Sequence, residues 1–348
     1  MAEQVPGVDL DRLVPWFSEH VAPVESLRAT VVGHGRSNLT YRIESGSEAW
    51  VLRRPPLSHV QPTAHDMARE FRVISALAGR IPVPRTFALC DDPSVIGAPF
   101  YVMEHVVGLV PVNPTEVAER YDEAQRRRMG EELIDTLAAL HSLDPAEVGL
   151  ADFGKPQGYI ERQVRRFSEQ LERIKSRDLS EMEELARRLQ ANIPEESGAA
   201  IVHGDYRLDN TIVNAEGHIA AVLDWEMSTL GDPLADMGIL RMYWRDRDAQ
   251  GEAATVGSAG VITLPGFPTW QEAARRYEER SGRDLSNLDY YIVLAHFKLA
   301  VILENMYNRF KAGGTVGAGF ETIGDQALIL ARAGLAVAEA SAVRGMRG

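Results

Sequence analysis

His203-Gly204-Asp205-Tyr206-Arg207-Leu208-Asp209-Asn210 stands between two apolar runs, Ala200-Ile201-Val202 and Thr211-Ile212-Val213. About a dozen residues further on, Val222-Leu223 delivers Asp224. Short β-branched runs bounded by Gly, Asp and Asn read as buried strands joined by tight turns. The loop carries an aspartate with an asparagine at the fifth position after it, and the strand from His218 to Leu223 ends on a second aspartate. Phosphoryl transfer asks little covalent chemistry of a protein. It needs a carboxylate to orient or deprotonate the attacking hydroxyl, and hard oxygens to hold magnesium on the phosphates. Asp205 suits the first task, and Asn210 and Asp224 suit the second. His-Gly-Asp alone reads equally well as a solvated turn. The asparagine and the strand-end aspartate separate the two readings.

Toward the N-terminus, Ala29-Thr30-Val31-Val32, Thr40-Tyr41-Arg42-Ile43 and Ala49-Trp50-Val51-Leu52 read as an antiparallel meander. Gly33-His34-Gly35-Arg36-Ser37-Asn38 joins the first two strands, and its small residues would let backbone N–H groups approach phosphate oxygens. An ordinary glycine hairpin fits the same residues. A helix follows, with Thr63 as N-cap, Asp66 three residues on, and Met67, Phe71, Ile74 and Leu77 on one face. Strands near Thr86–Leu89 and Phe100–Met103 complete this half. Beyond Val107 helices dominate: one through Met129, Leu133, Leu137 and Leu140, one over Tyr159–Ile174, one over Leu179–Leu189, and more after Leu234. Residues 251–268 form a loose stretch, and whether it orders over a bound substrate is not legible. The expected organisation is an N-terminal part, 1–106, holding the nucleotide phosphates, and a helical part, 107–348, holding the catalytic loop, metal site and substrate pocket.

The pattern H-G-D-x-x-x-x-N followed by a strand-end aspartate resembles the aminoglycoside phosphotransferase and choline kinase-like superfamily, a branch of the protein-kinase-like fold. Gly231-Asp232-Pro233-Leu234-Ala235-Asp236 resembles a further segment of that family. The resemblance covers roughly residues 25 to 310. It implies an α+β, bilobal fold with a small antiparallel sheet and one main helix in the N-lobe and a larger helical C-lobe. It also implies ATP as phosphoryl donor, Mg2+ as cofactor and a small hydroxylated molecule as acceptor. By the same resemblance Asp205 is the catalytic aspartate, Asn210 and Asp224 ligate the metal, His203 braces the loop and Asp236 anchors it. Gly33, Gly35, Ser37 and Asn38 would meet the phosphates. Met103, Glu104 and His105 would meet the adenine, Glu104 and His105 through their backbone. Glu226 reads as a salt-bridge partner. Asp152-Phe153-Gly154 spells the protein-kinase metal motif, but it precedes the catalytic loop and reads as a turn.

The family carries a lysine after the Val-Leu pair, where this chain has Arg53. Its four lysines are Lys155, Lys175, Lys298 and Lys311, none of them in the N-terminal part. Strand alternation puts Arg53 and Arg54 on opposite faces, so Arg53 is expected to contact phosphate and to pair with Glu70. A surface ion pair is the bland alternative. Arg53 with Pro55-Pro56, and the Tyr159–Phe167 segment, resemble a subgroup whose members include kinase domains attached to acyl-CoA dehydrogenases. That implies a metabolic hydroxylated acceptor, a hydroxyacyl thioester among the options, rather than an antibiotic. Arg162, Arg165 and Arg166 could bind an anion or form solvated ion pairs. Leu294–Phe310 is a second candidate wall of the substrate pocket. A nucleotide-binding regulatory module without catalysis is the alternative function.

Composition narrows the partners. Apolar residues make up 45% of the 348 and charged residues 25%, and the net charge is −13. That balance argues against a nucleic-acid backbone or an anionic membrane surface as partner. The single cysteine, Cys90, gives no internal disulfide, and no signal-peptide pattern is visible, so a cytoplasmic setting is the expectation. Oligomeric state is not legible.

Overall fold

Alternating β-branched and aromatic residues in the first hundred positions build a five-stranded antiparallel sheet. The protein is seen here as a computed structural model that describes residues 5–32, 38–57, 66–245, 259–313 and 320–347. The chain divides into two units, Met1–Gly108 with Ala220–Ser228, and Leu109–Ile219 with Thr229–Gly348.

In the first unit, helix α1 (Leu10–His20) precedes β1 (Arg28–Val31), β2 (Leu39–Ser45) and β3 (Glu48–Arg54). Helix α2 (Met67–Leu77), β4 (Thr86–Cys90) and β5 (Phe100–Glu104) follow. The strand order is β1-β2-β3-β5-β4, so the meander runs through β3 and then β5 inserts between β3 and β4. Tyr41, Ile43, Leu52, Phe100 and Val102 form the core, with Phe17 of α1 edge-on to Trp50 at 5.0 Å. Sequence reading omits α1, which carries Pro15 in its interior. Asp9 nonetheless caps it through Arg12 N, and Leu13 and Phe17 bury one face. The cap of α2 is also corrected. Asp66, not Thr63, accepts from Arg69 N at 2.9 Å, and Thr63 lies outside the described residues.

The second unit contains α3 (Pro114–Arg120), α4 (Glu123–Ser142), α5 (Tyr159–Ile174) and α6 (Ser180–Ala191). Short strands β6 (Ala200–Val202), β7 (Thr211–Val213), β8 (Ile219–Val222) and β9 (Thr229–Gly231) come next, β8 running on into the segment that belongs to the first unit. Helices α7 (Leu234–Tyr243), α8 (Ala259–Ile262), α9 (Trp270–Ser281), α10 (Leu288–Lys311) and α11 (Ile323–Ala340) complete the chain. β6 pairs antiparallel with β9, Val202 opposite Thr229. α10 is the longest helix and packs against α5, α6, α7 and α11. Of the loose stretch 251–268, residues 251–258 lie outside the described residues and 259–262 is the short α8. A sheet-based first unit and a helical second unit make the α+β class that the sequence pattern implied. Among the described residues no helix is long and apolar enough to cross a membrane.

Candidate active site

The loop after β6 is held from beneath by one carboxylate. Asp236, in the first turn of α7 and fully buried, accepts His203 N at 2.6 Å and Gly204 N at 2.8 Å. Gly204 sits at φ 89, a left-handed conformation that a side chain would strain. Asp236 is itself held by His141 Nε2 at 3.2 Å, and His141 Nδ1 meets the Tyr277 hydroxyl at 2.7 Å. Burial works to raise the Asp236 pKa, but His141, His203 and the Gly204 N–H together hold it below the ordinary carboxylate value. Burial keeps His141 below the usual histidine range. His203 is fully buried, and its Nδ1 accepts Asp205 N at 3.2 Å. The loop's shape is thereby set by groups that do not reach solvent.

Above this support, Asp205 and Asn210 face each other. Asn210 Nδ2 donates to Asp205 O at 2.8 Å and to Asp205 Oδ2 at 3.0 Å. Asn210 is the last residue of a short 3-10 turn, Leu208–Asn210, which brings the fifth position back over the first. Asp205 keeps 31% of its side chain exposed, and Arg207 Nε lies 3.4 Å from its Oδ2. Arg207 also meets Asp209 Oδ2 at 3.2 Å and lies 4.7 Å over the Tyr243 ring. A reachable carboxylate with one oxygen steadied by an amide suits orientation of a hydroxyl.

A second cluster lies within the first unit. Arg53, 12% exposed, sends Nη2 to Asp224 Oδ1 at 2.5 Å, Nε toward Glu70 Oε2 at 3.2 Å, and Nη2 to within 3.8 Å of Glu226 Oε2. Glu70, in the first turn of α2, is 1% exposed. The Arg53–Glu70 approach is an ion pair without hydrogen-bond alignment, and neither Glu70 oxygen has a hydrogen-bond partner among the described residues. Burial, with Asp224 and Glu226 adding to it against Arg53, pushes the Glu70 pKa up to about 7. Burial works against the Arg53 charge, yet Glu70, Tyr101 and Asp224 raise its pKa above the ordinary value. Asp224 is the only non-glycine at positive φ among the described residues, at φ 66. Such strain clusters at functional sites.

The expected residues therefore fall into two sets. Asp205 and Asn210 come together in the second unit, and Arg53, Glu70 and Asp224 in the first. Asn38 is buried and gives its amide to Glu226 Oε2 at 2.9 Å, so its side chain braces this cluster. Glu226 is an ion-pair partner, as read. Gly33, Gly35 and Ser37 lie outside the described residues. Met103 is buried and Glu104 exposed at the end of β5, with His105 half-buried beyond it. The Glu104 N–H is taken by Arg85 O at 2.8 Å, which removes that donor from any adenine contact. Arg54 faces away from Arg53, clamping Gly7 O and Ile96 O at 2.5 and 3.0 Å. The Asp152-Phe153-Gly154 segment is a turn with Phe153 buried and Asp152 exposed. Sequence reasoning missed His141, Tyr277 and Arg207. Arg207 lies inside the quoted loop, where it passed as a spacer, and His141 is only a polar residue at the end of an apolar helix face.

Comparison with known proteins gives the family and the fold. A family model described as the phosphotransferase enzyme family matches residues 28–274. Acyl-CoA dehydrogenase family member 11 of Gallus gallus is 35% identical over 319 residues, 87% of this chain and 39% of that protein. The chain spans only part of such relatives, from 26% of one to 40% of another. A crystal structure of a Ralstonia eutropha protein assigned to the aminoglycoside phosphotransferases has TM-score 0.81 and 33% identity, covering 95% of this chain and 98% of that one. An aminoglycoside phosphotransferase in a ternary complex with ADP and hygromycin B shares the fold at TM-score 0.60 and 13% identity, covering 93% of this chain and 98% of that one.

Proposed function

The chain belongs to the phosphotransferase enzyme family and is by that membership a small-molecule kinase, and we propose that it moves the γ-phosphoryl group of ATP to a hydroxyl of a small metabolic substrate. The observation that carries this is the loop clamp: Asp236 fixes His203 and Gly204, and the loop so fixed holds Asp205 against Asn210 with its carboxylate still accessible. In this reading Asp205 orients the acceptor hydroxyl and takes its proton as the phosphoryl group is captured. A fold-level relative bound to ADP supports a nucleotide donor, and ATP is the proposed one.

Magnesium fits the chemistry of the residues available. Asn210 turns its amide hydrogens to Asp205, and its Oδ1 accepts no hydrogen bond among the described residues. Asp224 brings a carboxylate. Both are hard oxygens of the kind Mg2+ takes alongside phosphate and water. When bound, the ion would neutralise charge on the phosphates. Arg53 would serve the phosphates as the lysine does elsewhere, and backbone of the glycine-rich segment 33–38 would assist. The acceptor reading favours a hydroxylated metabolite, hydroxyacyl thioesters included, over an aminoglycoside, supported by the curated relatives being acyl-CoA dehydrogenase family members.

The test is phosphate transfer from ATP with Mg2+ to a panel of hydroxyacyl thioesters, hydroxy acids and aminoglycosides, by wild type and Asp205→Ala. Removing a positioned base lowers turnover by about 10²- to 10⁴-fold, while ATP-dependent thermal stabilisation persists. Equal product from both proteins would sink the role of Asp205. The second reading, a regulatory nucleotide-binding module, rests on one observation, that Arg53 engages the Asp224 carboxylate at 2.5 Å. Nucleotide binding without transfer to any acceptor would favour it.

A further inference from the structure

Lys298 is a cation of the second unit set against an aromatic ring. It projects from α10, and its ammonium lies 5.4 Å from the Phe167 ring on α5. Arg166 lies 5.8 Å from the same ring. Phe167 is itself buried. Among the described residues neither cation has a carboxylate within ion-pair distance, unlike Arg177, Arg188 and Arg276, which all do. Arg162, half-buried on α5, is spent on Gln157 O and Lys155 O just before that helix, while Arg166 is exposed. Two like charges sharing one apolar ring repel each other, and an aromatic face offsets only part of that. Burial pushes the Lys298 pKa below the ordinary lysine value and Arg166 adds to this, against the pull of Asp236 and Asp205. The charge is under-compensated where it sits, and Asp205 is among the groups acting on it.

We propose that Lys298, with Arg166 beside it, binds an anionic group of the acceptor, so that the acceptor is a hydroxylated carboxylate or phosphate compound. The inference rests on Asp205 receiving the acceptor hydroxyl, as proposed above, and adds a second point of attachment on the same molecule. A polycationic sugar would meet two cations there, which selects against it. An anion at Lys298 gains a charge-assisted contact in a partly desolvated place.

The experiment is equilibrium binding without ATP, so that it reads the site independently of transfer. Calorimetric titrations use matched probes: 4-hydroxybutyrate against 1,4-butanediol, and glycerol 3-phosphate against glycerol. The two anionic arms separate carboxylate from phosphate. Wild type is expected to bind one of the anions at least tenfold more tightly than its neutral match. Lys298→Met is expected to weaken that binding about tenfold or more, the loss of one charged contact, and Lys298→Arg to retain most of it. Arg166→Gln, on the exposed face of α5, is expected to weaken it less and serves if Lys298→Met folds poorly. In turnover, Lys298→Met should raise KM with kcat little changed, whereas a purely structural role or one confined to tuning Asp205 would move kcat. No preference for either anion by wild type, or equal anion binding by wild type, Lys298→Met and Arg166→Gln, overturns the proposal. Failure of transfer by a wild type that binds the anion would instead count against the kinase reading.

Discussion

Arg53 shows what one side chain can organise. Its partner Glu70 was legible because both stand on neighbouring elements of one local pattern, a strand and the helix after it. Its bond to Asp224 was not, because the two are 171 positions apart and nothing in the residues between sets where that loop returns. The guanidinium serves three carboxylates where a lysine would offer one compact charge. Arg53→Met should therefore strand Glu70 as a buried carboxylate with no counter-charge. Breaking a buried pair by removing one member costs about 3–5 kcal/mol. The loss should depend on pH. Glu70 has a folded-state pKa of about 7 against an ordinary 4.5, so the folded state holds the proton more tightly and stability falls as pH rises between those values. Removing Arg53 takes away the charge opposing that shift, so the pKa climbs further. Urea denaturation should show a large deficit at pH 8 that shrinks by pH 5.5. A deficit equal at both values would refute the assignment of the cost to Glu70.

At the scale of elements, periodicity found most helices and missed their ends. Tyr159–Ile174 was read with its observed bounds because Tyr159, Ile160, Val164, Phe167 and Leu171 bury one continuous face. The strands β6, β7 and β8 around the loop were legible as short apolar runs, whereas β9, the partner of β6, was not. The position of β5 between β3 and β4 was not, since register depends on partners distant in sequence. Caps are where local chemistry is strongest, and α9 has a complete one. Thr269 Oγ1 accepts Glu272 N at 3.3 Å, and Glu272 Oε2 accepts Thr269 N at 2.7 Å. Glu272 also holds Arg127 of α4 at 2.8 Å, which ties α9 to its neighbour. Thr269→Ala should cost about 1 kcal/mol, read in thermal or urea unfolding. The Thr269 backbone hydrogen bond first, then Arg127, lowers the Glu272 pKa from 4.5 to about 2. A depressed folded-state pKa gives stability that is present above the unfolded value and lost as pH falls through the folded one. Glu272→Gln should thus destabilise at pH 6, and the gap from wild type should narrow toward pH 3. A gap that widens on acidification would contradict the cap.

Across the whole molecule, the class and the catalytic loop were legible because they depend on a few residues at short spacing, whereas the supports of that loop depend on packing. Asp236 could be read as an anchor from its family segment, but His141 and Tyr277 behind it could not, being joined to it only by the meeting of α4, α7 and α9. The same packing makes a remote glycine matter. Gly238 lies two residues after Asp236 on α7, where a Cβ would stand 2.4 Å from the Tyr291 carbonyl oxygen of α10. The obstacle is backbone in the longest helix of its unit, so a rotamer change cannot relieve it. Gly238→Ala must push α7 off α10, and overpacking of this kind costs about 1–3 kcal/mol, against which the better helix propensity of alanine returns at most about 1 kcal/mol. Because α7 carries Asp236, the shift should also loosen the bonds to His203 N and Gly204 N that fix Asp205. The expected result is lower stability together with a fall in kcat. Gly260→Ala is the control, since a Cβ there meets nothing closer than 3.7 Å, and it should leave both quantities near wild type. Loss of stability in Gly238→Ala with kcat unchanged would show that the loop is held independently of where α7 rests on α10.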